Sequence, residues 1–332
     1  MSERRTALRP HTLTTAGARD SEEGVSLADL AVFYEHPAWF EPLWAALDRR
    51  GLDWTKVHAG DHSFDPARSP PPAPVILSRM AMSSFLREAE HPIFYAQSLF
   101  EHWEGQGARV VNGPALQVDT SKARQLSLIR RLGFGAPETR VVHRAADLRK
   151  AAAELRFPVL VKADIGGSGA GIVSYDTPEE LAEAVAAGTT PVGVNGVALV
   201  QEYAPIRGNR IVRVETLNGR FLYAVSVESG GFDLCLADVC MVAPGKASLV
   251  LEAVTPSREV IAASEAIARA ARLDVGGVEY LVDDRDGQVK FYDINALSNF
   301  VANPREVVGF DPHDNLIDFI EEAIGARGRA AA

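Results

Sequence analysis

From residue 26 onward the chain alternates short apolar runs with stretches of helical period. Leu27-Ala28-Asp29-Leu30-Ala31-Val32-Phe33-Tyr34 predicts a buried strand, and His36-Pro37 leads into a helix carrying Trp39, Leu43 and Leu47 that closes at Arg50-Gly51. Trp54 to His58 follows directly as a second strand. The order strand, helix, strand opens a parallel α/β sheet, because parallel neighbours need a crossover between them. Ser69-Pro70-Pro71-Pro72-Ala73-Pro74 cannot donate to a ladder and reads as a stiff connector, after which Val75-Ile76-Leu77-Ser78-Arg79 is a third buried strand. A helix over 92–107 and a short strand from Ala108 to Asn112 complete a small open α/β domain spanning 26–118.

The middle of the chain starts at Asp119-Thr120-Ser121-Lys122, whose carboxylate and hydroxyls can cap a helix bearing Leu126, Ile129 and Leu132; Gly133, Gly135 and Pro137 end it. A helix from Ala145 to Leu155 precedes the strand Phe157 to Lys162. Ile165-Gly166-Gly167-Ser168-Gly169-Ala170-Gly171 then separates that strand from Ile172-Val173-Ser174-Tyr175, and the next helix opens at Thr177-Pro178-Glu179-Glu180. A phosphate loop of the Walker or dinucleotide kind runs from a strand into a helix, whereas this glycine-rich segment lies between two strands. It therefore reads as a flap whose backbone N–H groups can approach phosphate oxygens, with Lys162 placed to neutralise them. A plain glycine-rich hairpin tip with an exposed lysine fits the same residues.

Later, Asp286-Gly287 sits between two alternating runs in the segment Gly276 to Asn295, a strong hairpin signal. With the turn centred on Asp286, Glu279 and Asp293 are equidistant from it and face each other across the strands. Directly opposed Cβ atoms are about 4.5–5.5 Å apart, so two like charges there need a neutralising partner. A divalent cation would serve, and Asn295, on the same sheet face as Asp293, adds a neutral oxygen to a hard-cation site. Solvent-facing acids, or a shifted register, would leave no such site.

Composition narrows the partners. The chain has 332 residues, 47% hydrophobic and 23% charged, with a net charge of −10. That describes a globular chain of more than one domain with an acidic balance, which argues against a nucleic-acid surface and for a small substrate. No apolar run is long enough to cross a bilayer, and no signal peptide is evident, so the reading is a reduced, cytoplasmic protein, with a homo-oligomer left open. The two cysteines, Cys235 and Cys240, lack the further Cys or His neighbours of a metal site and read as strand thiols. His58, His62, His91, His102 and His143 do not cluster and read as loop or helix-surface residues. The ends, 1–25 and 326–332, show no periodicity and are expected to be disordered.

Taken in order, the residues from Asp119 to Asn295 resemble the ATP-grasp superfamily, and within it the group that includes the ligase adding glutamate to a ribosomal protein, the RimK-type group. The resemblance implies an ATP-grasp fold preceded by a small open parallel α/β (pre-ATP-grasp) domain, with a small subdomain over 119–202 and a C-terminal subdomain over 203–325. It implies Lys122 and Lys162 as nucleotide lysines, Gly166 to Gly171, with Gly167, Ser168 and Gly169 at its centre, as the phosphate-covering loop, and Val200-Gln201-Glu202-Tyr203-Ala204 as the adenine-holding hinge. There the Glu202 carbonyl would accept from adenine and the Ala204 N–H would donate to it. It further implies Glu279, Asp293 and Asn295 as ligands of Mg²⁺ or Mn²⁺, and Arg213 as the strand arginine that reaches the transferred phosphoryl group. The activity implied is ATP-dependent carboxylate–amine ligation, forming an amide or peptide bond through an acyl phosphate on an amino acid or peptide. The sequence departs from the pattern at Gly208-Asn209-Arg210, where a ribose-binding acid is common, at Gly277, where D-alanine ligases carry arginine, and at Asp293, where related enzymes have glutamate.

Substrate recognition is expected at Arg79, Ser83 and Ser84, after the third strand, and at Ser298, Asn299 and Arg305, after Asn295. An ATP-grasp kinase acting on a small hydroxyl compound would use the same nucleotide residues, and a non-catalytic nucleotide-binding protein would keep the clamp alone. The presence of both lysines and both metal carboxylates argues against the latter.

Overall fold

A computed structural model describes residues 27–87, 90–166, 171–228 and 251–331. The first unit contains β1 (Leu30–Tyr34), α1 (Glu41–Arg50), β2 (Trp54–His58), β3 (Val75–Arg79), α2 (Ile93–Gly105) and β4 (Arg109–Val111). Its strands form a parallel sheet in the order β2-β1-β3-β4. Alternation along the strands sorts the two faces: Ala31, Phe33, Ile76 and Val110 pack on α2, while Leu30, Val32, Val75 and Leu77 pack on α1. Gly51 takes the left-handed conformation that ends α1, as the Arg50-Gly51 signal predicts.

The chain continues through α3 (Leu116–Asp119) and α4 (Lys122–Arg131) into β5 (Thr139–Val142), α5 (Leu148–Ala152), β6 (Val159–Ala163), β7 (Ile172–Tyr175), α6 (Pro178–Ala187) and β8 (Ala198–Glu202). β5-β8-β6-β7 is an antiparallel sheet. α5 and α6 cover its face bearing Val159, Val161, Ala198 and Val200. Leu160, Lys162, Leu199 and Gln201 alternate with these and share the opposite face. β6 and β7 flank the glycine-rich segment as the sequence predicts.

The third unit is the antiparallel sheet β11-β10-β9-β12-β13. Its strands are β9 (Ile206–Leu217), β10 (Arg220–Glu228), β11 (Leu251–Ala253), β12 (Val275–Asp283) and β13 (Val289–Asn295), with α7 (Arg258–Ala270) between β11 and β12. Val214, Ala224, Val278 and Ile294 form a row that packs on Ile267 of α7 and on Leu126 and Ile129 of α4. The helix that opens with Lys122 therefore packs on the sheet of the β12–β13 hairpin, although in sequence it adjoins the sheet β5-β8-β6-β7. α8 (Pro304–Val307) and α9 (Pro312–Ala331) close the chain.

α9 departs from expectation, since 326–332 reads as a disordered tail whereas the helix runs to Ala331. Leu316, Ile317 and Ile320 are fully buried against α1 and the first sheet, so tertiary packing anchors the helix, and its alanine-rich end continues with little intrinsic cost. Gly325 and Gly328 cost only about 1 kcal/mol each there, too little to stop it. Residues 1–25, read as disordered, and the cysteines Cys235 and Cys240 lie outside the described residues.

Candidate active site

Glu279 pairs with Asp293 on one side and with Arg213 on the other, so the three side chains form a row across β13, β12 and β9. The next row on the same face is Asn295, Gly277 and Glu215. The predicted Glu279–Asp293 pairing is present, though not through a uniform ladder. Next to the turn the partners are Val282 with Val289 and Tyr280 with Phe291, centred between Arg285 and Asp286. A bulge at Tyr292 then adds one residue and brings Asp293 opposite Glu279.

Gly277 leaves the space that Arg213 fills. A Cβ built there would lie 2.3 Å from Arg213 Nε and 2.8 Å from Cζ. The buried guanidinium thus crosses diagonally to Glu215, with Nε donating to Oε1 at 2.6 Å, while Nη1 lies 3.4 Å from Glu279 Oε1. The departure from the D-alanine ligases at 277 is therefore coupled to where Arg213 sits: a side chain at 277 and this placement of Arg213 exclude each other.

Lys122 opens α4 because Ser121 caps the helix, its hydroxyl accepting from the Arg124 N–H, and because Asp164 accepts from Ala123 N at 2.8 Å. Its ammonium donates to Asp293 Oδ1 at 2.7 Å. Lys162 projects from the face of the sheet β5-β8-β6-β7 that also carries the buried Leu160, Leu199 and Gln201. Burial, reinforced by the charge of Lys122, lowers its pKa to about 8. Burial works against the charge on Lys122 too, but Asp293 together with Glu279 and Asp119 outweighs it and the net shift is upward. For Glu279, burial and then Asp293 push the carboxyl up, with Arg213 opposing. Asp119 is pushed up to about 7, by burial first and Asp293 second, while the Ala296 N–H donates to it and opposes the shift.

These residues fit a divalent cation. A buried carboxylate and a half-buried one face each other with an amide beside them, Asn295 Nδ2 donating to Glu279 Oε1 at 3.1 Å, and the Glu279 carboxyl is raised first by burial and then by the charge of Asp293, the change a cation would offset. An oxygen donor set of this kind suits Mg²⁺ or Mn²⁺ with phosphate oxygens or water completing the shell.

The hinge residues connect β8 to β9. The Gln201 amide donates to Thr139 at 2.8 Å. The Glu202 carboxylate accepts from Arg156 N at 3.0 Å and lies 3.5 Å from Arg285, so its side chain is occupied elsewhere and only its backbone is available to a base. Tyr203 N donates to the Pro158 carbonyl, and Ala204 is buried beside Ile211 and Val227. Gly208 and Asn209 have positive φ, and Arg210 pairs with Glu252 at 2.9 Å and Glu228 at 3.5 Å, so the turn itself supplies no acid and the acids beside it are engaged by Arg210. Gly167, Ser168 and Gly169 lie outside the described residues, between Gly166 and Gly171.

The structure brings three of the expected substrate residues together. Arg79, 1% exposed, donates from Nη1 to the Ser298 carbonyl at 3.2 Å and lines a small cavity with Ser298 and Asn299. Burial lowers its pKa to about 10, with Glu215 opposing. Among the described residues Arg79 Nε and Asn299 Oδ1 have no hydrogen-bond partner. Ser83 Oγ accepts from Arg87 at 3.0 Å, and Ser84 is fully buried. Arg305 stands apart: it is exposed and pairs with Asp314 at 3.6 Å. Sequence reading missed Glu215, which the alternation of Arg213-Val214-Glu215 could have placed beside Arg213, and it treated Asp119 only as a helix cap, because linker residues carry no periodic signal.

Comparison with known proteins agrees with this geometry. A family model for the RimK-like ATP-grasp domain matches residues 119–320. Among solved structures, the ATP-grasp ligase PsnB, complexed with a phosphomimetic variant of its minimal precursor, Mg and ADP, superposes with a TM-score of 0.66 at 15% identity, covering 90% of this chain and 99% of that one. A RimK domain ATP-grasp protein from Sphaerobacter thermophilus gives 0.63 at 17% identity, covering 88% and 99%. The D-alanine–D-alanine ligase of Bacillus anthracis complexed with ATP gives 0.63 at 15%, covering 92% and 99%. No curated protein matches the chain in sequence. At these identities the superpositions establish the fold, and the family match, which spans more than half of the chain, establishes the family: the chain belongs to the RimK-like ATP-grasp family.

Proposed function

We infer that the protein is an ATP-dependent carbon–nitrogen ligase that joins a carboxylate to an amine and releases ADP and phosphate. The observation that carries this reading is the row Arg213–Glu279–Asp293, with Arg213 and Glu279 buried and Asp293 half-buried, met by Lys122 from α4 and with Lys162 on a second sheet close enough to feel its charge. Phosphoryl transfer needs positioned positive charge more than a protein nucleophile, and this set supplies it.

Lys122 and Lys162 hold the phosphates of ATP, and the hinge from Gln201 to Ala204 takes the adenine through its backbone. Glu279, Asp293 and Asn295 would hold Mg²⁺, which neutralises phosphate charge and orients the transferred group. A carboxylate oxygen of the substrate attacks the γ-phosphorus, the bond from that phosphorus to the ADP oxygen breaks, and ADP leaves. Arg213 stabilises the charge on the phosphoryl oxygens in transit. The amine lone pair then attacks the carbonyl carbon of the acyl phosphate and phosphate departs with the bonding pair. Water must be kept from that intermediate, which it would otherwise hydrolyse; the phosphate-covering role expected of Gly167, Ser168 and Gly169 lies outside the described residues.

Arg79, Ser298 and Asn299 recognise a substrate carboxylate or amide, a role supported by the small cavity they line together. A peptide is among the substrates we favour, a reading supported by the similar ligase PsnB having been solved with its precursor peptide. No helix among the described residues is long and apolar enough to cross a membrane, and we assign the protein to the cytoplasm.

Incubation with Mg-ATP and a pooled set of amino acids, short peptides and other carboxylates, followed by ADP and phosphate assays and mass spectrometry, tests the reading. The expected result is ADP, free phosphate and a product lighter by one water than its two precursors. An acceptor that gains phosphate instead would make the protein a kinase.

A further inference from the structure

β13 carries Asp293 and Asn295, yet among the described residues it is the edge strand of its sheet, with β12 as its one strand neighbour. In an antiparallel strand the N–H and C=O of one residue point to the same side, so the backbones of Ile294 and Ala296 face away from β12 and have no ladder partner. Side chains from other units fill that edge. Gln125, on α4 and 1% exposed, accepts from Ile294 N with Oε1 at 3.1 Å and donates from Nε2 to Ile294 O at 2.9 Å, the pattern a neighbouring peptide group would make. Asp119 Oδ2 accepts from Ala296 N at 3.1 Å. Asn112, after β4 and with φ of 61°, donates from Nδ2 to both Ala296 O and Val275 O at 2.6 Å, and its Oδ1 accepts from Asp274 N and Val275 N.

The backbone on each side of Asn295 is therefore held through both its N–H and its C=O, by side chains from the first unit, the linker and α4. Register is what this controls. A slip of one residue would turn Ile294 into the site and Asp293 and Asn295 out of it, and an edge strand has only one neighbouring strand to resist that. The bulge at Tyr292 already shifts the pairing by one residue between Tyr280 and Glu279, so the turn alone does not fix which residue of β13 faces Glu279. Moreover, Gln125 lies one turn from Lys122 on the same helix, so α4 fixes the strand of the metal ligands and presents a nucleotide lysine at once.

We propose that Gln125 and Asn112 are positioning residues for the metal site: their amides complete the open edge of β13 and set the register at which Asp293 and Asn295 face the bound nucleotide. This rests on the assignment of those residues as metal ligands. The test is binding of Mn²⁺ to the full-length protein in the presence of ADP, followed by the EPR signal of free Mn²⁺, with ADP affinity in EDTA measured separately. Gln125→Met keeps the volume and removes both hydrogen bonds. It is expected to weaken Mn²⁺ binding about 10–100-fold, the usual effect of losing a group that orients a ligand, and to leave ADP affinity in EDTA unchanged. Gln125→Glu, which keeps the acceptor for Ile294 N, guards against a folding failure of the first variant and is expected to give a smaller shift.

Asp293→Asn tests the assignment beneath. If it binds Mn²⁺ as the wild type does, the metal reading fails and the proposal falls with it. If Asp293→Asn loses Mn²⁺ while the folded Gln125 variants bind it normally, the positioning role alone is overturned.

Discussion

Gly277→Ala offers a sharp test of the site, because a single methyl group is directed at a buried, ion-paired guanidinium. The built Cβ stands 2.3 Å from Arg213 Nε and 2.9 Å from Nη2, whereas ordinary contact begins at 3.4 Å, so the guanidinium must withdraw by about 1 Å. That withdrawal stretches the 2.6 Å bond to Glu215 and moves Arg213 relative to Glu279. Complete rupture of a buried pair costs about 3–5 kcal/mol and overpacking alone about 1–3 kcal/mol. A partial retreat in which the charges remain neighbours should therefore cost about 2–3 kcal/mol. The effect on rate is separate: a misplacement of about 1 Å in a group that orients the reaction can cost about 10²-fold. Urea unfolding gives the first quantity and ATP turnover with the substrate pair from the pooled assay gives the second. Gly105→Ala, at the end of α2 where a Cβ meets nothing within 4 Å, is the control and should be neutral or slightly stabilising. Wild-type turnover in Gly277→Ala would refute the assignment of Arg213 to the transferred phosphoryl group.

Lys162, with its pKa lowered to about 8 from 10.5, should lose its proton as the medium becomes mildly alkaline, so ATP should bind more weakly above pH about 8 by calorimetry. Lys162→Arg should flatten that dependence, because arginine stays charged. The same shift has the opposite sign for stability: between those two values the unfolded chain holds more protons at this site, so its contribution to stability rises with pH. Glu279 titrates the other way. Its raised carboxyl contributes stability that is fully present at low pH and lost as pH rises through its folded value, and a cation needs the ionised form. The increase in melting temperature caused by Mg²⁺ with ADP should therefore be small at pH about 5 and larger at pH about 8; an equal increase at both would count against this pair as the metal site. Ile320→Ala, at a fully buried position of α9, should cost about 2–5 kcal/mol in urea unfolding, and a change below about 0.5 kcal/mol would show that the helix is not part of the first core.

Local chemistry made much of the molecule legible. The strand and helix order of the first sheet, the αL glycine after α1, the Ser121 and Thr177 caps and the two strands around the glycine-rich loop all depend on neighbours close in sequence, so periodicity and turn signals report them. The Asp-Gly turn likewise gave Glu279 its partner, although the pairing is delivered by a bulge that the turn does not encode.

What the sequence by itself determined is thus the order of the elements, the side-chain chemistry available at Lys122, Lys162, Glu279, Asp293 and Asn295, and the face of each strand on which the strand residues among them lie. Tertiary structure alone decided that α4 packs on the hairpin sheet, that α9 returns to cover the first sheet, that Arg213 leans over Gly277 toward Glu215, and that Gln125 and Asn112 close the edge of β13. Each of these rests on a partner more than sixty residues away or on the exclusion of a side chain by a neighbouring strand. Local periodicity fixes the direction of a side chain, and only packing fixes what it meets.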